Sequence, residues 1–348
     1  MNHHIQSGGM TALLAALLTA QWFSSSTEGF LDACGNAVWL PVLVGGLALA
    51  GLTALLQRLA PEEGLLNLGR PAALCVALLM TLVGATALRD TLTMLATFLL
   101  QQSPRWYTLL ILLPVLILTG CLGMCSVARP LRLIAPALAI GYAAVLLLSV
   151  WSQADVYHFF PLLDTGLPKL AGTAVSALAA GVWLPLLWID KPRLGRTSGA
   201  GAVLLATVLA AGGYAAYALL FPDGLVVDHA FPLHRLSAAG GFSQAFQRVH
   251  APFAFVWLPV QMAAMSAALS TAGRGLKAAL PGVKEKALLP VPLLMMLALG
   301  YWDEEHSPMG LQILLQAQTQ ALLLLPLIAG MAVSRIRALR RGKEARHA

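Results

Sequence analysis

Apolar stretches of about 20 residues recur along the whole chain, divided by short segments that carry charges, Gly or Pro. An α-helix needs about 20 such residues to cross the hydrocarbon core of a bilayer. Ten stretches meet this description, and the sequence therefore predicts an all-α integral membrane protein with ten transmembrane helices. The predicted spans cover approximately residues 9–33, 37–57, 71–92, 106–128, 131–151, 165–189, 198–220, 251–273, 287–302 and 309–334.

The composition excludes a soluble domain of this size. The 348 residues are 58% hydrophobic and only 11% charged, whereas soluble domains carry about 25% charged residues. So few charges cannot cover the surface of a chain this long. The net charge of +7 comes from basic residues scattered between the apolar stretches, and this pattern does not indicate a nucleic-acid partner.

The distribution of basic residues predicts the topology. With ten spans, 17 of the 22 Lys and Arg residues fall on the side of the C-terminal tail, and the positive-inside rule assigns that side to the cytoplasm. Both termini are then cytoplasmic. Residues 1–334 form a single transmembrane domain, and residues 335–348 form a basic tail that either binds anionic membrane lipid or a partner or serves only as a topological anchor.

Two of the predicted spans contain an interruption. In the first, a run of Ser and Thr that ends at Glu28 and Gly29 follows an apolar half-helix, and such hydroxyls compete for backbone hydrogen bonds. The sixth is weakened in a similar way by Gly172, the run 179–181 and Pro185. Because spans one and six are an odd number of spans apart, they cross in opposite directions. This pattern predicts an inverted five-plus-five repeat with halves at about 9–151 and 165–334.

Interrupted helices at matching positions of two inverted halves indicate a transporter-like binding site, because irregular backbone at membrane depth must line a cavity or be buried in protein. A small zwitterion would suit such a site. The alternative is that the Ser, Thr, Ala and Gly residues of the two interruptions only pack against neighbouring helices. Likewise, Trp183 is either a stacking surface for the ligand or a packing residue. The predicted substrate-binding residues are Ser24, Ser25, Ser26, Thr27, Ala180, Gly181 and Trp183.

Few ionisable residues fall within the spans. Glu28 follows the first interruption, where it either pairs with a cation or lies among the outer headgroups. Arg89 and Asp90 are expected at the outer interface, where adjacent helical residues make a poor ion pair. The chain contains neither a nucleophile elbow nor a Walker loop, and its His residues lack metal-type spacing. The sequence therefore predicts no enzymatic activity, no cofactor and no metal site.

Several segments resemble one family in order and spacing. They are LRDTLTMLATFLLQQSPRWYTLL from Leu88, GCLGMCSVARPLRLIAP from Gly120, YHFFPLLDTGLPKLAG from Tyr157 and FPLHRLSAAGGFSQAFQRVHAPFAFVWLPVQ from Phe231. Together they resemble the GerAB-type B-subunit permeases of bacterial endospore germinant receptors, a branch of the amino acid/polyamine/organocation transporter superfamily. Each motif is short, and the likeness rests on their succession.

The resemblance implies a membrane subunit that senses a small nutrient, such as an amino acid, beside germinant receptor A and C subunits. It implies the spore inner membrane or the cell membrane of an endospore-forming bacterium. The region 231–248 would form an outer lid, and Arg248 at its end is, with Glu28, a candidate for cation binding or gating. Family members commonly carry acids where this chain has Met124, Val182 and His250. Their absence favours a receptor or a passive pathway over an energised pump. The alternative function is a stand-alone secondary transporter of amino acids or organic cations.

Overall fold

The computed structural model describes residues 7–24, 28–60, 64–100, 102–151, 154–159, 166–189, 198–221, 236, 250–302 and 308–347. These residues are helical or lie in turns, with no strand among them. In chain order the α-helices are α1 (Ser7–Trp22), α2 (Glu28–Cys34), α3 (Trp39–Leu59), α4 (Arg70–Met94), α5 (Arg105–Leu122), α6 (Met124–Val150), α7 (Leu167–Ala177), α8 (Ser198–Leu220), α9 (His250–Ala279), α10 (Glu285–Leu288), α11 (Pro290–Gly300), α12 (Met309–Leu315), α13 (Ala317–Leu322) and α14 (Leu324–His347).

Seven helical stretches in the described part of the chain are long and apolar enough to cross a bilayer: Gly29–Leu59, Arg70–Thr97, Arg105–Leu122, Ser126–Val150, Leu167–Leu187, Gly199–Leu220 and Ala317–Ala338. The other predicted spans fall on α1, on α9, and on α10 with α11. Helices α1 and α11 have only 16 and 11 residues, fewer than the roughly 20 of a full span. An all-helical, multi-pass membrane protein is therefore supported, whereas the count of ten and the inverted repeat remain predictions.

Helix α4 lies at the centre of the bundle. In its most apolar window 72% of the residues are buried, against 17% in α6 and 11% in the last span. The outer helices point large apolar side chains away from the protein, as Leu118, Leu133 and Ile140 do with 60%, 81% and 70% exposure. Water would not tolerate so much exposed apolar surface, so lipid surrounds these helices.

Close packing of α3 against its neighbours depends on two glycines. A methyl group at Gly45 would meet the carbonyl oxygen of Ala174 and lie 2.7 Å from the Cβ of Ala177, both on α7. A methyl group at Gly46 would meet the side chain of Thr207 on α8. Small residues let helix backbones approach closely in a membrane. Helix α3 is thereby held against both α7 and α8.

The last predicted span contains a third discontinuity, which the sequence did not predict. Gln316, between α12 and α13, has extended backbone angles of φ −68° and ψ 135°. Two buried side chains satisfy the carbonyl oxygen of Leu315 just before it: Thr86 Oγ1 of α4 at 3.2 Å and Gln320 Nε2 at 3.2 Å. Gln320 Nε2 also donates to Thr86 Oγ1 at 2.8 Å. The break is thus tied to the central helix.

We expect Thr86→Val to lower the free energy of unfolding by about 1–3 kcal/mol, because it removes one donor to Leu315 and the acceptor for the Gln320 amide. Thr53→Val is the matched control. Thr53 is also fully buried, but its hydroxyl donates only within α3, to Leu49 O at 2.7 Å. Thermal unfolding of the purified protein in detergent measures both. Equal effects of the two substitutions would show that the Thr86 hydroxyl does not support the break.

The basic tail continues the last helix. Helix α14 extends from Leu324 to His347, so most of the predicted 335–348 segment belongs to the same helix as the end of the last span. A displacement of this span would therefore carry its basic end with it.

Candidate functional site

The first helix ends where the sequence predicts an interruption. Helix α1 stops at Trp22, and α2 begins at Glu28. The amides of Phe23 and Ser24 donate to the carbonyl oxygens three residues earlier, at 3.1 and 3.3 Å, which tightens the last turn. The hydroxyl of Ser24 donates to Gln21 O at 2.9 Å. A serine hydroxyl thus donates a hydrogen bond to a backbone carbonyl at this helix end, as serine commonly does.

The sixth span changes its winding instead of separating into two pieces. Helix α7 passes through Gly172 without a break and ends at Ala177. The chain continues as a 3-10 helix over Leu178–Leu187, which includes Pro185. Runs of 3-10 helix longer than 3–4 residues are uncommon, and inside a helix they often mark a functional hinge. The discontinuity is therefore a ten-residue 3-10 segment.

The ends of these two helices are bonded to each other. The indole nitrogen of Trp22 donates to Ala177 O, the last carbonyl of α7, at 3.1 Å. The indole nitrogen of Trp183 donates to Gln21 Oε1 at 3.1 Å, and Gln21 Nε2 lies 3.4 Å from Ser24 Oγ. From α8, the hydroxyl of Tyr214 donates to Trp22 O at 2.6 Å. Buried side chains thus satisfy backbone groups that the interruptions expose.

A small cavity lies beside this junction. Its polar wall consists of Gln21 of α1, Ser24 just after that helix, Asp90 of α4, Trp183 of the 3-10 segment and Gln261 of α9. Four buried apolar residues complete the wall: Leu17, Ala20, Ala87 and Ala264. The free volume is about 10 Å³, which is room for about one water molecule. This volume is too small for an amino acid, so a ligand of that size would require the elements that line the cavity to move apart.

The predicted site residues are distributed as follows. Ser24 and Trp183 line the cavity. Ala180 and Gly181 are buried in the 3-10 segment, where a Cβ on Gly181 would lie 3.0 Å from Leu49 of α3. Glu28 begins α2, but its side chain lies outside the described part. Four further residues, namely Ser25, Ser26, Thr27 and Arg248, also lie outside the described residues.

Sequence reasoning missed three polar residues of the cavity: Gln21, Asp90 and Gln261. Asp90 was expected at the outer interface; the structure shows that it is buried in the protein, with 1% exposure, on the wall of the cavity. The helix continues through Leu99 as a π-helical turn, about 13 Å beyond Asp90 at 1.5 Å per residue. The sequence signal available was the polar residue itself, since ionisable and amide side chains inside apolar spans indicate function.

The resemblance implies acids at positions 124 and 182, but this chain has buried apolar residues there. Met124 begins α6 with 5% exposure, and Val182 lies fully buried in the 3-10 segment. His250 begins α9. Within the described part of the chain, no group of three or more His, Cys, Asp or Glu side chains could hold a metal ion. The acid beside the junction is instead Asp90.

Comparison with known proteins supports the resemblance seen in the sequence. A family model described as spore germination protein, the spore permease family, matches residues 36–307. This match covers more than three quarters of the chain, including α3 to α11 and the cavity residues Ala87, Asp90, Trp183, Gln261 and Ala264. No curated protein matches the chain. The length of the family match, together with the apolar helices and the junction inside the bundle, shows that the chain belongs to the spore germination permease family.

Proposed function

We propose that the chain is the membrane subunit of a spore germinant receptor and binds a small nutrient of the amino acid class beside the junction of α1 and the 3-10 segment. The observation that carries the proposal is the buried polar cavity at that junction, where Gln21, Ser24, Asp90 and Gln261 meet. Interrupted helices at matching positions of a membrane bundle are typical of transporter binding sites, because irregular backbone at membrane depth lines a cavity or is buried in protein. Membership of the spore germination permease family supports the same function.

The size of the cavity suggests how binding would produce a signal. A ligand larger than a water molecule has to move apart elements that line the cavity. The Trp22–Ala177 and Trp183–Gln21 hydrogen bonds connect α1 to α7 and to the 3-10 segment, and we propose that these elements separate. A ligand shifts a conformational equilibrium only if it binds one state better. Nutrient binding would favour the separated state, and the receptor A and C subunits would read the new helix positions.

A single substitution at the junction tests this function. Gln21→Leu removes the acceptor for the Trp183 indole and a polar group of the cavity wall, so the half-maximal amino acid concentration for germination should rise about tenfold or more. Germination of spores carrying the variant is followed by loss of optical density with each of the twenty amino acids. Gln57→Leu on α3, which makes the same chemical change at a residue outside the cavity wall, is the control.

Membrane abundance must be measured alongside the germination response. Immunoblots of spore membranes should show similar amounts of the wild-type chain and the two variants. Normal abundance of Gln21→Leu together with an unchanged dose response to every amino acid would remove the junction as the binding site. A response that falls equally in the Gln57→Leu variant would point to a general folding defect.

The second candidate function is secondary transport by this chain alone. The buried acid Asp90 favours it, because proton- and cation-coupled transporters keep such acids inside the membrane. The absence of acids at positions 124, 182 and 250 argues against transport coupled to protons or cations. The buried Asp90 weakens that argument. Uptake of radiolabelled amino acids into proteoliposomes that contain only this chain separates the two functions. Concentrative uptake driven by a proton gradient would favour transport over reception.

The proposed location is the inner membrane of the spore, with both termini in the cytoplasm. The basic end of α14 would then lie at the anionic cytoplasmic leaflet, where each Lys or Arg contributes about 1 kcal/mol of attraction. This places the tail where it can hold the last span at the membrane surface or contact a partner subunit.

A further inference from the structure

A groove lies on the surface of the bundle, away from the junction. It runs between the first turns of α4, the last turn of α9 and the first turns of α11, and its free volume is about 480 Å³. Ligand sites in proteins typically have volumes of about 300–1,000 Å³. Exposed apolar side chains form its edges: Leu74 and Leu78 on α4, and Val291 and Met295 on α11. Lipid around the bundle therefore has access to this groove.

The inner end of the groove is closed where α11 packs on α4. A methyl group at Gly84 of α4 would meet the side chain of Met296 on α11. A methyl group at Gly300 of α11 would lie 2.6 Å from Ala85 O. The α4 residues that line the groove, within 71–81, all precede these two contacts. The groove therefore extends from this packed region toward the start of α4.

The length of the groove matches one leaflet of a bilayer. Its α4 residues extend from Pro71 to Thr81, which is about 15 Å at 1.5 Å per residue. The hydrocarbon core of a bilayer is about 30 Å thick, so each leaflet contributes about half of that. At the inner end, the hydroxyl of Thr81 donates to Ala77 O at 2.7 Å within α4. A hydrocarbon chain could thus lie along the groove without burying an unsatisfied hydroxyl.

Basic residues are concentrated at the other end of the groove. Arg70 begins α4, and Lys277 lies in the last turn of α9. Lys284 immediately precedes α10, and Lys286 lies within it, just before α11. We call these four residues the basic rim; together with Glu285 of α10 they remain positively charged. The topology predicted from the sequence puts this end on the cytoplasmic side, where the lipid surface is anionic.

Lys277 is held in place in a way that suits an anion. Its Nζ donates to Pro281 O at 2.8 Å and to Val283 O at 2.7 Å, both in the turn between α9 and α10. These carbonyls are its hydrogen-bond partners within the described part of the chain, and they are neutral. An ammonium group has three N–H donors. One donor and the positive charge are therefore available to a phosphate.

We propose that this groove binds an anionic phospholipid, with an acyl chain between α4 and α11 and the phosphate at the basic rim. The apolar walls match the chain, and the rim matches the charge of the head group. Basic pockets between transmembrane helices on the cytoplasmic side bind anionic head groups in this way. A helix of a partner subunit would also cover the apolar walls, but the rim favours a phosphate. The proposal does not depend on the nutrient site.

Thermal unfolding of the purified full-length chain in a neutral maltoside detergent tests the inference. Dioleoyl phosphatidylglycerol should raise the melting temperature. Dioleoyl phosphatidylcholine has the same chains without net charge, and glycerol 3-phosphate has the phosphate without chains, so both should raise it much less. Equal stabilisation by the two phospholipids, or by glycerol 3-phosphate and phosphatidylglycerol, would overturn the proposal. Stabilisation by none of the three would also overturn it and would leave a partner helix as the occupant.

Removal of the rim charges tests the position of the phosphate. The triple variant Lys277→Gln, Lys284→Gln and Lys286→Gln should lower the apparent affinity for phosphatidylglycerol about a hundredfold, roughly fivefold for each charge. Arg58→Gln, which removes a basic residue from the last turn of α3 and outside the groove, should leave the affinity unchanged. An unchanged affinity in the triple variant would show that the rim does not hold the phosphate.

Filling the groove tests the position of the acyl chain. Leu78→Trp places a larger side chain on the groove wall and should lower the affinity for phosphatidylglycerol about tenfold or more. Leu118→Trp on α5, at an exposed leucine outside the groove, is the control. Each lipid-induced shift is measured against the same variant without lipid, so a less stable variant still gives a result. Wild-type affinity in Leu78→Trp would show that the chain does not lie in this groove.

Discussion

Gly45→Ala and Gly51→Ala should change stability in opposite directions, although both replace a glycine with alanine on α3. At Gly45 the new Cβ meets the Ala174 carbonyl and lies 2.7 Å from Ala177 Cβ. An ordinary contact between two carbon atoms is longer, about 3.5–4.0 Å. We expect the free energy of unfolding to fall by about 1–3 kcal/mol. The membrane abundance of the chain should fall with it.

Gly51 provides the control because a Cβ there meets nothing within 4 Å. Replacing a helical glycine by alanine in open space adds about 0.5–1 kcal/mol of stability through the lost backbone entropy of the unfolded chain. Thermal unfolding in detergent compares the two variants with the wild type. A Gly45→Ala protein at least as stable as Gly51→Ala would show that α3 and α7 are not packed as closely as the structure describes.

The Gly45 substitution should also reach the functional site. Ala177, which the new methyl group crowds, ends α7 and accepts the hydrogen bond from Trp22. Displacement of α7 would lengthen this bond and shift the start of the 3-10 segment. The nutrient response of spores should therefore fall more than membrane abundance alone explains.

Tyr214→Phe should destabilise the protein by about 1–3 kcal/mol, because it leaves a buried carbonyl without its donor. Tyr214 is fully buried, and its hydroxyl lies 2.6 Å from Trp22 O. The last four carbonyls of a helix lack intrahelical partners, so this side chain takes the place of an amide at the end of α1. Thermal unfolding measures the loss, and the amino acid dose response should change with it.

Tyr142→Phe is the matched control for this second substitution. Its hydroxyl donates to Leu209 O at 2.8 Å, but Leu209 lies inside α8, where its carbonyl also accepts a helical hydrogen bond. Removing the hydroxyl should cost only about 0.5–1.5 kcal/mol and leave the nutrient response unchanged. A loss of stability for Tyr142→Phe as large as that for Tyr214→Phe would mean that Tyr214 does not cap α1.

The interruption at the end of α1 could be predicted because its cause is local. The Ser24 hydroxyl donates a hydrogen bond to the carbonyl three residues earlier, and a run of Ser and Thr in a sequence predicts such hydrogen bonds. The break at Gln316 had no local signal. It depends on Thr86, which is 230 residues earlier in the chain and reaches Leu315 only because α4 packs beside the last span.

The buried position of Asp90 on the cavity wall could not be predicted from the sequence for a related reason. A hydropathy window measures how apolar a span is but not which face of the helix packs against which neighbour. Asp90 lies near the end of the predicted span 71–92, so a position in the headgroups was the natural prediction. The structure instead extends the helix through Leu99 and covers Asp90 with α1, α9 and the 3-10 segment.

The 3-10 winding of the Leu178–Leu187 segment makes it longer than an α-helix of the same ten residues. A 3-10 helix rises about 2.0 Å per residue and an α-helix 1.5 Å, so rewinding these ten residues would shorten the segment by about 5 Å. Because its neighbour α7 already has the α-helical pitch, the boundary at Ala177 could travel along the chain one residue at a time. Such a moving boundary would draw the far end of the helix inward in small steps, as each amide exchanges a carbonyl three residues earlier for one four residues earlier. Pro185 has no amide hydrogen and takes no part in this exchange.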